Sequence, residues 1–221
     1  MNHYVIIVAG GTGSRMQTEV PKQFLELCGK PILMHSINAF AENCECAYPI
    51  IVLPHSHIDN WLKLCNKHDF KQEHKIISGG STRFHSVKNA LITLLDNGLV
   101  AIHDGVRPLV SRQTIMRCFH EASIYGCAVP TVQIADSVRE STGLNNRALD
   151  RSKLFLIQTP QVFDIAKLKK AYEQEYSPEF TDDASVYEKA GNVIHLTEGN
   201  VENIKITTPN DLIVAECLAL V

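Results

Sequence analysis

No apolar run among the 221 residues approaches the roughly 20 that a membrane-spanning helix needs, so no helical span is expected. Positive charge is not in excess: 21 Lys and Arg stand against 24 Asp and Glu, a formal net charge of −3. This excludes a global positive field for nucleic acid or an acidic membrane surface, and leaves room only for a local basic cluster. The seven cysteines are odd in number and scattered, which argues against a disulfide framework. Cys44 and Cys46 form a lone C-x-C without a second half, and the ten histidines show no ligand-type spacing. No zinc site is therefore expected. The opening MNHYVIIVAGG has no basic stretch, and its apolar run ends in glycines. It reads as a first strand rather than a secretory leader, and the cytoplasm is the expected location. Conventional nucleophilic machinery is missing as well: there is no G-x-S-x-G elbow and no cysteine in a local catalytic signature.

What is present is an alternation. The apolar runs YVIIVA (4–9), YPIIVLP (48–54), KIISGG (75–80) and LVAIHDG (99–105) each precede a helical pattern. In the third of these patterns, 81–98, Ser81 is a candidate N-cap, and Val87, Ala90, Leu91, Leu94 and Leu95 form the expected buried stripe. Fully apolar strands in β-α-β-α order predict a parallel sheet covered on both faces. Ligands on such sheets bind at the carboxyl ends of the strands. The pattern breaks at 128–163, which reads as a β-hairpin around a turn at Gly143–Asn146, with a polar tip at 136–152. A two-stranded hairpin is marginal alone, so this arm is expected to lie on something else, a partner subunit being one candidate. The α/β pattern then resumes. No repeat or linker interrupts it, and one domain over 1–221 is expected, with an arm at about 134–154.

The unusual sequences lie directly after the apolar runs. The first glycine loop is neither a Walker loop nor a dinucleotide fingerprint, because Met16 stands where the latter needs a third small residue. It is G-x-G-x-R instead, Gly11-Thr12-Gly13-Ser14-Arg15. Backbone amides of such a turn can point at phosphate oxygens, and Arg15 adds a forked cation. Lys22 follows in VPKQF beside Pro21, whose ring fixes the backbone. Gly79 and Gly80 let backbone approach a flat ligand that Ser86 could hydrogen-bond, although a Gly-Gly turn before a helix needs no ligand. In HDGVRP, Asp104 is either a partner for a phosphate-bound metal or one half of an internal ion pair with Arg107. Lys205 is expected to alternate out of an apolar strand in NIKITTP, and Thr181 in TDDAS has the look of an ordinary N-cap. Several cations without a nucleophile suit attack by an already ionised phosphate monoester on a nucleotide's α-phosphate. Such a nucleophile needs no general base.

The set AGGTGSRM…PKQF, GGSTRFHSV, HDGVRP, DR…QTPQ.F, TDDAS and NIKIT resembles the 2-C-methyl-D-erythritol 4-phosphate cytidylyltransferases, in family order from residue 8 to about 215. The resemblance implies a Rossmann-like nucleotidyltransferase fold, a mostly parallel sheet with helices on both faces and a protruding hairpin arm. It implies a homodimer embracing through that arm, CTP as cosubstrate and Mg²⁺ as metal. It assigns Arg15 and Lys22 to transition-state stabilisation. Ala9, Gly10, Gly11, Gly79, Gly80 and Ser86 fall where CTP is held, and Asp104 and Lys205 lie at the reacting phosphates. Arg107, Ser137, Arg151 and Thr181 match positions that hold the methylerythritol phosphate, with Ser137 and Arg151 on the arm. Gly105 and Val106 depart from the family's usual H-D-A-A-R-P, and Ser137 replaces its usual threonine. A sister group acting on ribitol 5-phosphate often carries the valine and shares KITTP. A non-catalytic nucleotide-binding domain is the alternative of another class, which the intact Arg15, Lys22, Asp104 and Lys205 disfavour.

Overall fold

The computed structural model describes residues 2–11, 16, 20–42 and 49–220. Arg15 and the Cys44–Cys46 pair lie outside the described residues. The chain runs through β1 (His3–Val8), β2 (Glu26–Leu27), β3 (Lys30–Pro31), α1 (Ile32–Ala41), β4 (Pro49–Leu53) and α2 (His55–Lys67). It continues with β5 (Lys75–Ser78), α3 (Arg83–Leu91), β6 (Leu99–Asp104), α4 (Arg112–Tyr125), β7 (Cys127–Gln133), β8 (Val138–Thr142) and β9 (Asn145–Leu149). It closes with β10 (Phe155–Ile157), β11 (Gln161–Asp164), α5 (Ile165–Ala171), α6 (Asp183–Lys189), β12 (Leu196–Glu198) and α7 (Pro209–Ala219).

The main sheet has the order β10-β7-β11-β6-β1-β4-β5, with β12 added beside β7. Its parallel centre pairs β6 with β1, β1 with β4, and β4 with β5. Alternation along β1 explains why both faces are covered. Val5 and Ile7 face α1, α2 and α4, packing with Leu33, Phe40, Trp61 and Ile115. Ile6 points the other way, into a layer with Phe84 and Val87 of α3, Leu168 of α5 and Tyr187 of α6. A strand buried on both faces must be apolar throughout, and β4 and β6 are buried at every position. The chain winds from β1 outward to β4 and β5, then returns to β6 on the other side of β1. A crevice therefore opens at the carboxyl ends of β1 and β6, where Val8 and Asp104 stand side by side in register.

The segment 128–163 is the expected hairpin, since β7 and β8 on one limb pair antiparallel with β10, β11 and β9 on the other about a single turn, and the base of this hairpin is built into the main sheet. That base comprises β7, β10 and β11, and β11 joins the sheet antiparallel to both β6 and β7. Only β8 and β9 form a separate arm, joined by the tight turn Gly143-Leu144, with Gly143 at φ 76°. Several local expectations need correction. Leu95 is exposed rather than buried, because α3 ends at Leu91 and the helical period stops with it. The N-cap of α3 is Thr82, not Ser81, and that of α6 is Asp182, not Thr181. Lys205 lies on an extended segment outside any strand, tied to β6's following loop by Ile206 N–H donating to Val106 O at 2.9 Å.

Candidate active site

Three glycine-bearing loops continue the strand ends into the crevice. Ala9 N–H donates to Val52 O (2.9 Å), Gly79 N–H to Leu53 O (2.8 Å) and Gly105 N–H to Val8 O (2.9 Å), so each loop leaves its strand in a fixed direction. The PKQF segment folds over the first loop as a 3-10 turn, Lys22–Phe24. Two anchors hold it: Gln23 Nε2 donates to Ala9 O at 2.8 Å in the interior, and the Phe24 ring stacks on Trp61 with centroids 6.1 Å apart. Lys22 thereby crosses Gly11, where an added Cβ would stand 3.3 Å from Lys22 Cε. At the second loop, a Cβ on Gly80 would come 2.5 Å from His85 Cβ, closer than real Cβ atoms approach. Ser86 holds this turn in shape. Its Oγ accepts Gly80 N–H at 3.0 Å and donates to Thr82 O at 2.9 Å, which leaves the hydroxyl only acceptor capacity for a ligand.

These loops line a cavity of about 280 Å³, walled by Gly10, Gly11, Lys22, Gly79, Gly80 and Ser86, among others. A second cavity of about 250 Å³ adjoins it, lined by Arg107, Thr159, Gln161, Thr181 and Asp182, among others. Arg83, Asp104 and Lys205 line both cavities and form their common wall.

Asp104 is the centre of that wall. Lys205 Nζ stands 2.9 Å and Arg107 Nε 3.4 Å from its Oδ2, while Arg83 Nε is 3.8 Å from Oδ1. Burial pushes the Asp104 pKa up, but the charges of Arg83, Lys205 and Arg107 outweigh it and hold the carboxyl well below its ordinary value. The internal Asp104–Arg107 pair and the cavity position are thus both present. Arg107 is fixed further by Nη1 donating to Asn203 O at 2.7 Å. Beneath the wall lies His103, wholly buried. Asp104 N–H donates to Thr159 Oγ1 (3.0 Å), so the Thr159 hydroxyl is left to donate to His103 Nδ1 (3.0 Å), and His103 Nε2–H to donate to Arg107 O (3.0 Å). Burial lowers the His103 pKa to about 4, which keeps the ring neutral.

The structure brings together Ala9, Gly10, Gly11, Lys22, Gly79, Gly80, Ser86, Asp104 and Lys205 at the first cavity, and Arg107 and Thr181 at the second. Ser137 and Arg151 are not among them. Both are exposed on the arm, where Arg151 Nη1 donates to Ala135 O. Arg83, Gln23 and Asp183 escape sequence reading. The signal for Arg83 is its place in GGSTR, directly after the Gly-Gly turn. Gln23 and Asp183 act through long-range contacts that no spacing encodes.

A cation-rich crevice at the carboxyl ends of a parallel α/β sheet, split into two cavities by a shared charged wall, defines a nucleotidyltransferase-type protein. The 2-C-methyl-D-erythritol 4-phosphate cytidylyltransferase family matches residues 3–220, and the chain belongs to that family. Relatives bearing this name include those of Bacteroides thetaiotaomicron, 48% identical over 99% of this chain and 100% of the relative, and of Bacteroides fragilis, 51% identical over 96% and 97%. Among solved structures, the 2-C-methyl-D-erythritol 4-phosphate cytidylyltransferase of Thermus thermophilus superposes with a TM-score of 0.80 at 31% identity, covering 100% of both chains. The ribitol alternative gains no support from these relatives.

Proposed function

We propose that this chain transfers the cytidylyl group of CTP to 2-C-methyl-D-erythritol 4-phosphate, giving 4-diphosphocytidyl-2-C-methyl-D-erythritol and pyrophosphate, a step of non-mevalonate isoprenoid synthesis. The observation that carries the reading is the pair of adjoining cavities with Asp104, Lys205 and Arg83 on the wall between them. One cavity takes the nucleotide and the other the sugar phosphate, and the reacting phosphates meet at the shared wall. An oxygen of the ionised phosphate monoester attacks the α-phosphorus, the new P–O bond forms, and the bond to the β-phosphate breaks with pyrophosphate carrying the electron pair away. No proton has to be removed from the nucleophile. The barrier is negative charge, and Lys22 and Lys205 oppose it as cations, joined by Arg15, which lies outside the described residues. The backbone around Ala9, Gly10, Gly11, Gly79 and Gly80 holds CTP, with the Ser86 hydroxyl as an acceptor. Arg107 and Thr181 hold the sugar phosphate from one side.

Mg²⁺ fits this site in one respect. Asp104 is an ionised carboxylate on the wall, and a single carboxylate plus substrate phosphates is an ordinary Mg²⁺ environment. Among the described residues no group of three or more His, Cys, Asp and Glu is placed to hold a metal without substrate. Asp104 would hold the ion, which when bound supplies charge neutralisation at the triphosphate.

The enzyme works as a homodimer in the cytoplasm, its single domain over 1–221 extended by the arm at about 134–154, with no nucleic-acid or membrane partner. Two features support the dimer. Among the described residues β8 and β9 pair only with each other, and edge strand β10 leaves Phe155, Leu156 and Ile157 exposed by 39%, 53% and 40%. Ser137 and Arg151 then reach the sugar phosphate of the neighbouring subunit. The test is pyrophosphate release from CTP with each sugar-alcohol phosphate offered separately. Release with methylerythritol phosphate is expected. Release with ribitol phosphate alone would move the assignment to the sister activity, and release with neither would leave a nucleotide-binding protein.

A further inference from the structure

Arg83 lines both cavities and has no part in the mechanism described so far. It opens α3 immediately after the N-cap Thr82. Its Nη2 donates to Asp183 Oδ2 at 2.6 Å, and its Nε faces Asp104 at 3.8 Å. Asp183 is wholly buried, and its second oxygen accepts the Tyr172 hydroxyl at 2.6 Å. Tyr172 is buried in turn, so the hydroxyl has a fixed direction. Burying a carboxylate is costly unless it is both paired and hydrogen-bonded, and here each oxygen has its partner. The pair also has a definite place in the fold. Asp183 begins α6 two residues after Thr181, which lines the sugar-phosphate cavity, while Arg83 follows the Gly79-Gly80 turn of the nucleotide cavity. The Arg83 side chain stays 29% exposed although its partner is fully enclosed. A guanidinium that Asp183 holds through Nη2 and that Asp104 faces through Nε keeps further donors for a phosphate, since its planar fork has five.

Resting on the activity proposed above, we propose that Arg83 is a phosphate contact shared by the two cavities, and that Asp183, fixed by Tyr172, is the positioning residue that sets where its guanidinium stands. The experiment compares wild type with Arg83→Gln, Asp183→Asn, Tyr172→Phe and the Arg83→Gln/Asp183→Asn double variant. It measures kcat and KM for both substrates, CTP affinity by calorimetry and melting temperature. Arg83→Gln is expected to lower kcat/KM for both substrates about 10²-fold and to weaken CTP binding, and Asp183→Asn to lower kcat/KM about 10-fold. The double variant should be no worse than Arg83→Gln, because Asp183 acts through Arg83. Losses that add in the double variant overturn the positioning role. Unchanged CTP affinity and unchanged KM values in Arg83→Gln overturn the contact. If Asp183→Asn does not fold, Tyr172→Phe decides: a lower kcat/KM at both substrates supports the proposal, and wild-type kinetics overturn the positioning role. Absence of turnover in the wild type would sink the proposed activity alone. Calorimetry would then still decide the role of Arg83, since binding needs no turnover.

Discussion

Lys22 shows how a single charge is given an address. A lysine is a flexible point cation, so its position depends on what holds its backbone. Here the neighbouring Gln23 bonds Ala9 O and Phe24 stacks on Trp61, and the lysine is delivered across Gly11. Lys22→Ala and Arg15→Ala should each lower kcat by roughly 10²-fold or more, the scale for losing one preorganised stabiliser. A near-normal kcat in either variant removes that residue from the transition-state role. His103 makes a prediction in pH. Its folded-state pKa, about 4, lies below the ordinary 6.5, so between those values the unfolded chain binds the extra proton. Stability from this residue is complete above about pH 6.5 and is lost as pH falls toward 4, on the order of 3 kcal/mol in all. Urea unfolding at pH 7 and pH 4.5 should show the loss in the wild type and a smaller one in His103→Asn. Asp104 acts in a lower window. Its depressed pKa gives stability that is present above the ordinary carboxylate value of 3.8 and disappears as pH falls further.

At the level of elements, strands are the part most legible in the sequence. YVIIVA, PIIVL and LVAI are apolar at every position because both sheet faces are covered, and that signal gives β1, β4 and β6 within a residue or two. Helix ends are less legible. Ser81 and Thr82, or Thr181 and Asp182, offer adjacent side-chain oxygens, and the choice depends on backbone directions set by packing elsewhere. The short strands β10, β11 and β12 are recruited by neighbours already in the sheet, so their own three or four residues carry little periodicity. The same division holds for the candidate site. Residues at a strand's carboxyl end or in the turns beside it, such as Asp104, Gly80 and Lys22, stand in motifs that the sequence displays. The tie of Asp183 to Arg83, across 100 positions of sequence, is displayed by none. The cap of α6 is testable on its own. Asp182 accepts Ser185 N–H at 2.9 Å in a capping box and accepts Gln161 Nε2 at 2.8 Å. Asp182→Ala should cost about 1 kcal/mol. A thermal melt should register this as a drop of about 2–4 °C.

For the whole molecule, the arm and the edge of the sheet set the terms. On the proposed dimer, wild type should sediment as a dimer at micromolar concentration, and Leu156→Asp, which places a charge on the exposed apolar edge of β10, should shift it to monomer. Whether each arm serves its own site or its neighbour's is decided by mixing two inactive variants. On the proposed roles, Lys22→Ala should disable the core and Arg151→Ala the arm. If arms cross, a mixed dimer contains one site with an intact core and an intact arm, so activity should reappear on mixing. Arms that serve their own site would leave every site defective and the mixture silent.

The common wall has a thermodynamic corollary. Arg83, Asp104 and Lys205 belong to both cavities, so no anion can enter one without changing the field in the other. Linkage requires the effect to be reciprocal: whatever factor bound nucleotide applies to the affinity for the sugar phosphate, the sugar phosphate applies to the nucleotide. Each ligand consumes positive potential that the other would use, so with the metal left out the two should oppose each other. Neither cavity then has an affinity of its own; each has one for the empty neighbour and another for the filled one.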